Sequence, residues 1–365
     1  MTQTKTPAAL LRHIREIEKA LDFLDSLPLA DLVVKYNVDH YVKKLPTRDV
    51  LKIAILFFYS KERYLKHFLV ALLSNGLCCR LFRVNKVTFQ QVYKAIQHRC
   101  WFFFYEAFHQ AVKLVFRREV PAHRLFQGKE IKIMDSTFLT YALSRLFIAK
   151  FGYCSSEKCY KPGIKLHTLL NYSREQVESF LETGGNTHDS RVADTLLKDS
   201  RDCVLLIDKG YQNLERFLEL TSRNVTFIIP LKQNLKMQVL DEKVLSYETG
   251  DVVIRIVELK NGLRVLHIDC DGFAVLCNDC SLQWYEVIAL YSFRWEIELV
   301  FKQLKQAWHI NDPLFRNYNS IMAFICITLT AVVILQELAK QLGGRLVETH
   351  HIIGRKIEAC LVPAE

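Results

Sequence analysis

Apolar side chains recur at helical spacing in the first part of the chain. Residues 10–25 and 48–75 follow this spacing, and Pro28, Pro46 and Gly76 interrupt it. The pattern predicts a series of helices that ends near Pro121.

A further short helix is predicted to begin at Thr88. Thr88 followed by Gln91 matches a capping box, in which each side chain bonds the backbone at the other position. An apolar stripe follows it, formed by Phe89, Val92 and Ile96, and the outward positions hold Lys94, Gln97 and His98. The second helix of a helix-turn-helix has this pattern, and so do many ordinary helices.

From residue 130 onward the pattern changes to short apolar runs at strand length. Runs at 131–135, 163–170, 204–208 and 225–231 predict strands, and 214–220 has helical spacing. Strands that alternate with helices indicate an α/β sheet.

Residues 240–280 interrupt this alternation. Asn261-Gly262 and Asp271-Gly272 stand between apolar runs, and such dipeptides are strong signals for hairpin turns. The pattern predicts an antiparallel β insertion at about residues 232–282.

The longest apolar run covers residues 321–335 and is interrupted by Thr328 and Thr330. A membrane span needs about 20 apolar residues. We therefore expect a buried helix and no membrane partner.

The N-terminal residues lack the basic start and apolar run of a signal segment, so we expect a cytoplasmic protein.

The net charge of +10 is concentrated in one part of the chain. Counted as Lys and Arg against Asp and Glu, residues 51–125 carry +10 and the remainder is balanced. A basic window of this kind favours a polyanion such as nucleic acid as partner.

The predicted organisation is an all-helical basic DNA-binding domain at 1–125, an α/β domain at 126–345 and a C-terminal tail at 346–365.

Two predicted strands each end in an aspartate, Asp135 and Asp208. Ligands of open α/β sheets bind at the carboxyl ends of strands, and paired carboxylates suit a hard cation such as Mg²⁺. A single aspartate at such a position often only caps a turn. Asp189 competes for the second acidic position, but it begins a predicted helix, whereas Asp208 follows a wholly apolar strand.

A third acid is predicted on an amphipathic helix over 284–308. One face carries Tyr291, Arg294, Glu298, Lys302 and Lys305, and the opposite face carries Phe293, Ile297, Val300, Phe301, Leu304 and Trp308. The polar face could be an ordinary solvated surface with ion pairs at i, i+4 spacing. Tyrosine, arginine and lysine around a carboxylate are also what a metal site that acts on DNA phosphates presents.

These residues resemble a known family. Tyr291, Arg294, Glu298 and Lys305, in the segment YSFRWEIELVFKQLK, match the Y-(2)-R-(3)-E-(6)-K signature of bacterial insertion-sequence transposases with a DDE site, family four. The segments IMDST and LIDKGY resemble the family's first and second aspartate motifs, and KLH at 165–167 and THDS at 187–190 are also similar. The resemblance covers roughly residues 130–339.

The resemblance implies a ribonuclease-H-like α/β core with an antiparallel β insertion. It implies two Mg²⁺ or Mn²⁺ ions held by the catalytic acids Asp135, Asp208 and Glu298. It also implies that Tyr291, Arg294 and Lys305 bind DNA near the cleaved end.

The implied reaction hydrolyses one strand at the end of the element, after which the freed 3′-hydroxyl attacks target DNA. We therefore expect double-stranded DNA as partner, a homodimer in the DNA complex, and association with the bacterial nucleoid.

Three alternatives remain from the sequence. The chain could be a catalytically silent or domesticated DNA-binding derivative, or a nuclease of similar fold that does not join strands. Cys277 and Cys280 form a C-x2-C pair that could bind zinc, but zinc usually requires a second pair, and Cys154 and Cys159 lie in another region.

Overall fold

The computed structural model describes residues 7–361, apart from 61, 63, 75, 84–86, 142–149, 155–158, 186, 233–234, 249, 307–309, 311–316 and 345. In chain order the helices are α1 (Pro7–Asp25), α2 (Ala30–Tyr36), α3 (Thr47–Tyr59), α4 (Leu65–Ser74), α5 (Gly76–Leu81), α6 (Phe89–His98), α7 (Trp101–Phe116), α8 (Ser190–Leu197), α9 (Leu214–Ser222), α10 (Trp284–Ser292), α11 (Trp295–Gln306), α12 (Tyr318–Leu342) and α13 (Leu346–Leu361). The strands are β1 (Glu130–Thr140), β2 (Lys150–Cys154), β3 (Cys159–Asn171), β4 (Gln176–Thr183), β5 (Cys203–Ile207), β6 (Thr226–Pro230), β7 (Met237–Tyr247), β8 (Gly250–Leu259), β9 (Arg264–Cys270) and β10 (Phe273–Cys277).

The chain forms two compact units. Unit 1 comprises residues 1–117 and 308–365, and unit 2 comprises residues 118–307. Helices α1–α7, α12 and α13 belong to unit 1, and the strands belong to unit 2.

The helix predicted from Thr88 is present as α6. The Thr88 side chain accepts a hydrogen bond from the backbone of Gln91, and the Gln91 side chain bonds the backbone of Thr88, which completes the capping box. Val92 and Ile96 are buried on one side.

Helix α12 is the central helix of unit 1. It is long and apolar enough to cross a membrane by length and composition, yet its most apolar stretch is entirely buried inside the chain. The Tyr59 hydroxyl of α3 donates to the carbonyl of Ala331 at 2.7 Å, and the Asn319 amide donates to the carbonyl of Arg99 at 2.7 Å. The prediction of a buried helix over 321–335 is confirmed.

The division of the chain differs from the predicted one at its C-terminal end. The prediction placed residues 308–345 in the α/β domain and 346–365 in a tail, whereas α12 and α13 pack with the N-terminal helices. A helix buried on all sides requires apolar partners around it. Helices α1, α3, α6, α7 and α13 supply those partners, and periodicity along the chain carries no information about which helices meet.

Unit 2 contains a mixed sheet with the strand order β2-β3-β1-β5-β6-β10-β9-β8-β7, and β4 pairs with β3. β1, β5 and β6 are parallel, and β3 is antiparallel to β1. The strands predicted at 163–170, 204–208 and 225–231 and the helix predicted at 214–220 are present as β3, β5, β6 and α9. A packed core beneath the sheet includes stacked rings of Phe217 and Phe227, with centroids 4.4 Å apart.

The β insertion is also present, as the antiparallel strands β7, β8, β9 and β10. Gly262 in the β8–β9 turn has φ of 78°, and Asp271 and Gly272 in the β9–β10 turn have φ of 49° and 83°. Left-handed backbone at these positions favours glycine and aspartate, which is why the dipeptides identified the turns.

Candidate active site

Two aspartates lie at the same level of two neighbouring parallel strands. β1 and β5 pair in register up to Met134 and Ile207, so Asp135 and Asp208 are the next residues on each strand. Adjacent strands lie about 4.8 Å apart, and residues at the same level point to the same face of the sheet. The register therefore places both carboxylates together.

Asp135 does not end its strand, contrary to the prediction. β1 continues to Thr140 because it stays paired with β3, where Asp135 lies opposite Thr168. Only the parallel partner β5 stops at this level. The end of β5 opens the space beside Asp135.

The segment that carries Glu298 is two helices, α10 and α11, where the sequence predicted one helix over 284–308. The backbone N–H of Arg294 donates to the carbonyl of Tyr291 at 3.0 Å, which closes a tight turn between the two helices. The break contains neither proline nor glycine. At Phe293, Arg294 and Glu296 the backbone changes to i→i+3 hydrogen bonds, the tighter pattern that interrupts an α-helix. The predicted apolar face of α11 is confirmed at Ile297, Phe301 and Leu304, which are buried; Trp308 lies outside the described residues.

Arg294 joins the first aspartate to the glutamate. Its guanidinium donates to Asp135 Oδ2 at 3.0 Å and to Glu298 Oε1 at 2.6 Å. Burial raises the pKa of Asp135 to about 6; Asp208 and Glu298 add repulsion, and the Ser136 N–H and Arg294 oppose the rise. Carboxylates from β1, the end of β5 and α11 thus share one site with one arginine between two of them.

The raised pKa of Asp135 predicts how the stability of the folded chain changes with pH. Between the ordinary pKa of 3.8 and about 6, the folded chain retains a proton on Asp135 that the unfolded chain has lost, so its stability falls as pH rises through that interval. In metal-free buffer, the free energy of unfolding of Asp135→Asn, compared with that of the native chain, should increase by about 2–3 kcal/mol from about pH 4 to pH 7.5. Urea unfolding of both chains at the two pH values measures this difference, and a difference that does not change with pH would contradict it.

Tyr291 occupies a different environment from the predicted polar face. Tyr291 is 8% exposed, so it does not lie on an open polar face; burial raises the pKa of its phenol, and the guanidinium of Arg294 lies 5.9 Å from its ring centre. Tyr291 lies in α10, before the helix break, and the residues of α11 follow after it. Lys305 lies half-buried in the last turn of α11.

Asp189 also lies at the site, and one oxygen of its carboxylate, Oδ1, is held by neighbours. Asp189 Oδ1 lies 2.5 Å from Lys165 Nζ and 3.4 Å from His167 Nδ1, and it accepts from the Ser136 hydroxyl at 3.2 Å. It makes no side-chain cap for α8. His167 is completely buried rather than exposed on the strand, and burial lowers its pKa. In the sequence, Lys165 and His167 stand out only within the KLH segment, and no periodic signal indicates that they meet Asp189.

Gly210 separates the carboxylates of Asp189 and Asp208. Its N–H donates to Asp208 Oδ2 at 3.0 Å. A Cβ at this position would lie 3.0 Å from Asp189 Oδ2 and 3.4 Å from Asp208 Oδ2. Glycine therefore allows two acidic side chains to approach one loop.

The donor set suits a hard divalent cation, since all of it is carboxylate oxygen. In the part of the chain that the structure describes, no three His, Cys, Asp or Glu residues are already grouped to hold a metal ion. The guanidinium of Arg294 lies between the carboxylates of Asp135 and Glu298 and forms an ion pair with each. Burial is the main cause of the raised pKa of Asp135, and repulsion from Asp208 and Glu298 adds to it. By this chemistry the residues fit a divalent ion.

The pair Cys277 and Cys280 has a different character. Cys277 is buried, and burial raises the pKa of its thiol to about 12, whereas Cys280 is exposed. A zinc ligand must be a thiolate, and a thiol of raised pKa resists that form.

Comparison with known proteins places the chain among transposases. A family model described as Transposase DDE domain matches residues 126–334, more than half of the chain. A protein of Sinorhizobium fredii named as transposase y4zB is 23% identical over 193 residues, which cover 49% of this chain and 54% of that protein. A Geobacillus stearothermophilus protein named as a transposase for insertion sequence element IS5377 is 23% identical over 225 residues, which cover 58% of each. The chain thus spans little more than half the length of these relatives.

Among solved structures, piggyBac transposase in a synaptic complex with hairpin DNA aligns with a TM-score of 0.47 at 11% identity. The alignment covers 96% of this chain and 80% of that chain.

Proposed function

The chain belongs to the transposase DDE domain family, and we propose that it is a DNA transposase of insertion-sequence family four. It binds the ends of an insertion sequence, cleaves them by metal-dependent phosphodiester hydrolysis and joins the freed 3′-hydroxyls to target DNA. The observation that carries the proposal is the register of β1 and β5, which sets Asp135 beside Asp208, together with the bridge from Arg294 to Asp135 and Glu298.

Asp135, Asp208 and Glu298 are the proposed catalytic acids and ligands of two Mg²⁺ or Mn²⁺ ions. Proteins of this family generally use divalent metal ions, which activate the attacking oxygen and stabilise the leaving oxygen. The chain's own contribution is position: the Ser136 N–H holds Asp135 Oδ1 at 2.7 Å, and the Gly210 N–H holds Asp208 Oδ2. Both carboxylates are therefore oriented before DNA arrives.

Arg294, Tyr291 and Lys305 are proposed to bind DNA beside the scissile phosphate. Arg294 already lies between two acids, and a guanidinium pairs well with phosphate oxygens. Tyr291 would act from its buried position by holding the arginine beneath its ring. The half-buried position of Lys305, two turns after Glu298, supports a contact farther along the same strand of DNA.

Unit 1 is proposed to bind the element ends through its basic helices. Part of the charge excess is balanced within the unit: Lys52 and Arg83 pair with Asp25 at 2.8 and 2.7 Å, and Arg99 lies 3.8 Å from Asp39. The exposed cations that remain for DNA include Lys66, Arg80, Lys94, Lys113 and Arg117.

Lys94 on α6 tests this footprint. Replacing it with Ala should lower the slope of log affinity against log salt by about one, because one phosphate contact releases about one counterion. Arg83→Ala is the matched control, since Asp22 and Asp25 already balance that guanidinium. Salt titrations of DNA binding by the full chain measure both slopes, because a fragment of residues 1–125 would lack α12. If the native chain and Lys94→Ala had equal salt slopes, Lys94 of α6 would not contact DNA.

The proposed activity is tested with DNA taken from the two flanks of the gene, where a transposase of this kind would have short inverted repeats. We expect the native chain to nick this DNA in Mg²⁺ or Mn²⁺ but not in EDTA, and to join the new 3′-end to a second duplex. Nicking without joining would support a nuclease of similar fold. Binding without nicking would support a silent DNA-binding derivative.

We further propose a homodimer in the DNA complex and a cytoplasmic, nucleoid-associated location.

A further inference from the structure

Tyr211 is tied to the proposed catalytic residue Asp208 through one short turn of backbone. A 3-10 helix, Lys209–Tyr211, follows Asp208 directly, and the Asp208 side chain accepts from the Gly210 N–H at its start. The Tyr211 N–H donates to the carbonyl of Asp208 at 3.0 Å. The Tyr211 side chain is completely buried. Because a ring in a close-packed core cannot shift without displacing its neighbours, its position constrains the turn that carries Asp208.

The hydroxyl of Tyr211 lies against β1 and β3. It is 3.3 Å from Nδ1 of His167 on β3, and it also interacts with the Ser136 hydroxyl on β1. Ser136 and His167 lie directly opposite each other in the pairing of these two strands. The Ser136 N–H donates to Asp135 Oδ1 at 2.7 Å. One phenol oxygen therefore connects the turn of Asp208 to the strand of Asp135.

The two groups that contact this hydroxyl are held by partners of their own. The other ring nitrogen of His167, Nε2, lies 2.8 Å from the Thr183 hydroxyl on β4. The Ser136 hydroxyl donates to Asp189 Oδ1 at 3.2 Å. Side chains that are hydrogen-bonded within a buried network hold one another in one orientation. The Tyr211 hydroxyl thus meets a fixed anchor.

The rest of Tyr211 is held independently of its hydroxyl. Its carbonyl accepts from the buried guanidinium of Arg216 at 2.7 Å, and Arg216 pairs with Asp194 of α8 at 2.5 Å. Its ring belongs to the packed core of unit 2. Tyr211→Phe therefore leaves the ring packing and the backbone contacts in place and removes only the connection to β1 and β3.

We propose that the Tyr211 hydroxyl is a positioning group for the carboxylate site: it holds Asp208 in place relative to Asp135 and so raises the affinity of the site for divalent cations. The inference rests on the proposed function, since it takes these two carboxylates as ligands of the ion. Groups that orient metal ligands without touching the metal contribute about 10- to 100-fold in affinity. An ordinary core tyrosine would contribute through its hydroxyl to folding stability alone.

Mn²⁺ binding by the full chain, without DNA, tests the proposal apart from activity. Electron paramagnetic resonance of free Mn²⁺ measures the affinity, and thermal melting shows that each variant is folded. Tyr211→Phe should weaken binding roughly tenfold. Tyr59→Phe is the matched control, because it removes another buried hydroxyl, which donates to the carbonyl of Ala331 in unit 1; it should bind Mn²⁺ as the native chain does. Native affinity in Tyr211→Phe, or an equal loss in both variants, would overturn the proposal.

Asp135→Asn separates this proposal from the proposed function. If Asp135→Asn bound Mn²⁺ as tightly as the native chain, the carboxylates would not be the ligands, and the proposed function would fail together with this inference. If Asp135→Asn lost binding while Tyr211→Phe kept the native affinity, only the positioning role of Tyr211 would fail.

Ser136→Ala breaks the same connection from the β1 side and leaves the core tyrosine unchanged. It should weaken Mn²⁺ binding in the same direction as Tyr211→Phe. Combining the two changes should cost no more than the larger single loss, because residues that act through one contact are not additive. Losses that multiplied in the double variant would mean that the two hydroxyls act separately, and would contradict the proposed connection.

The dependence of cleavage on Mg²⁺ gives a further readout. In Tyr211→Phe the Mg²⁺ concentration for half-maximal single-turnover cleavage should rise about tenfold, and the rate at saturating Mg²⁺ should return close to the native rate. A hydroxyl that only stabilised the fold would change the amount of active protein and leave the half-maximal concentration unchanged. A lower rate at every Mg²⁺ concentration, with an unchanged half-maximal concentration, would therefore overturn the positioning role.

Discussion

Replacing Asp135 with Asn, or Glu298 with Gln, should abolish DNA cleavage while DNA binding remains. Each change removes one carboxylate charge from a site where three acids converge, and neither changes the size of the side chain. The loss should be on the order of a thousandfold or more, as for removal of a principal charge-stabilising group. Single-turnover cleavage and a mobility-shift assay on the same samples measure the two properties.

Glu296→Gln is the matched control for this prediction. Glu296 lies on the same helix two residues from Glu298, and it acts on Tyr172 rather than on the carboxylate site. We expect this variant to cleave at the native rate. If Glu296→Gln lost as much activity as Glu298→Gln, the defect would reflect the charge of the helix, and the assigned role of Glu298 would fail.

The second large effect concerns the packing of α11. Ile297 is completely buried in unit 2, and an aspartate there would place an unpaired charge in the core. The cost should exceed about 4 kcal/mol, enough to unfold the unit. Circular dichroism melting measures this loss.

Leu299 provides the comparison on the same helix. Its side chain is 39% exposed, so Leu299→Asp should change stability by about 0.5 kcal/mol or less. Similar melting losses for both variants would mean that α11 does not dock through the face that contains Ile297.

The strands around the site could be predicted because their signals are local. Wholly apolar runs and Asn-Gly or Asp-Gly turns identified β5, β6 and the β insertion. The proximity of Asp135 and Asp208 followed from a general property of parallel strands, which β1 and β5 satisfy through their register.

The remaining features depend on contacts between distant segments. No proline or glycine marks the break before Trp295, and beside it Tyr291 is buried and Arg294 contacts Asp135. The placement of α12 in unit 1 depends on helices more than 200 residues earlier. The contact of Asp189 with Lys165 and His167 joins two elements whose side chains show no common period.

The choice between Asp208 and Asp189 tests the proposed catalytic site most directly. Asp208 follows β5 in register with Asp135, whereas Oδ1 of Asp189 already contacts Lys165, His167 and Ser136. Single-turnover cleavage in Mg²⁺ should therefore be lost in Asp208→Asn and retained, at a reduced rate, in Asp189→Asn. Cleavage that survives in Asp208→Asn and disappears in Asp189→Asn would contradict the account and assign the second catalytic carboxylate to Asp189.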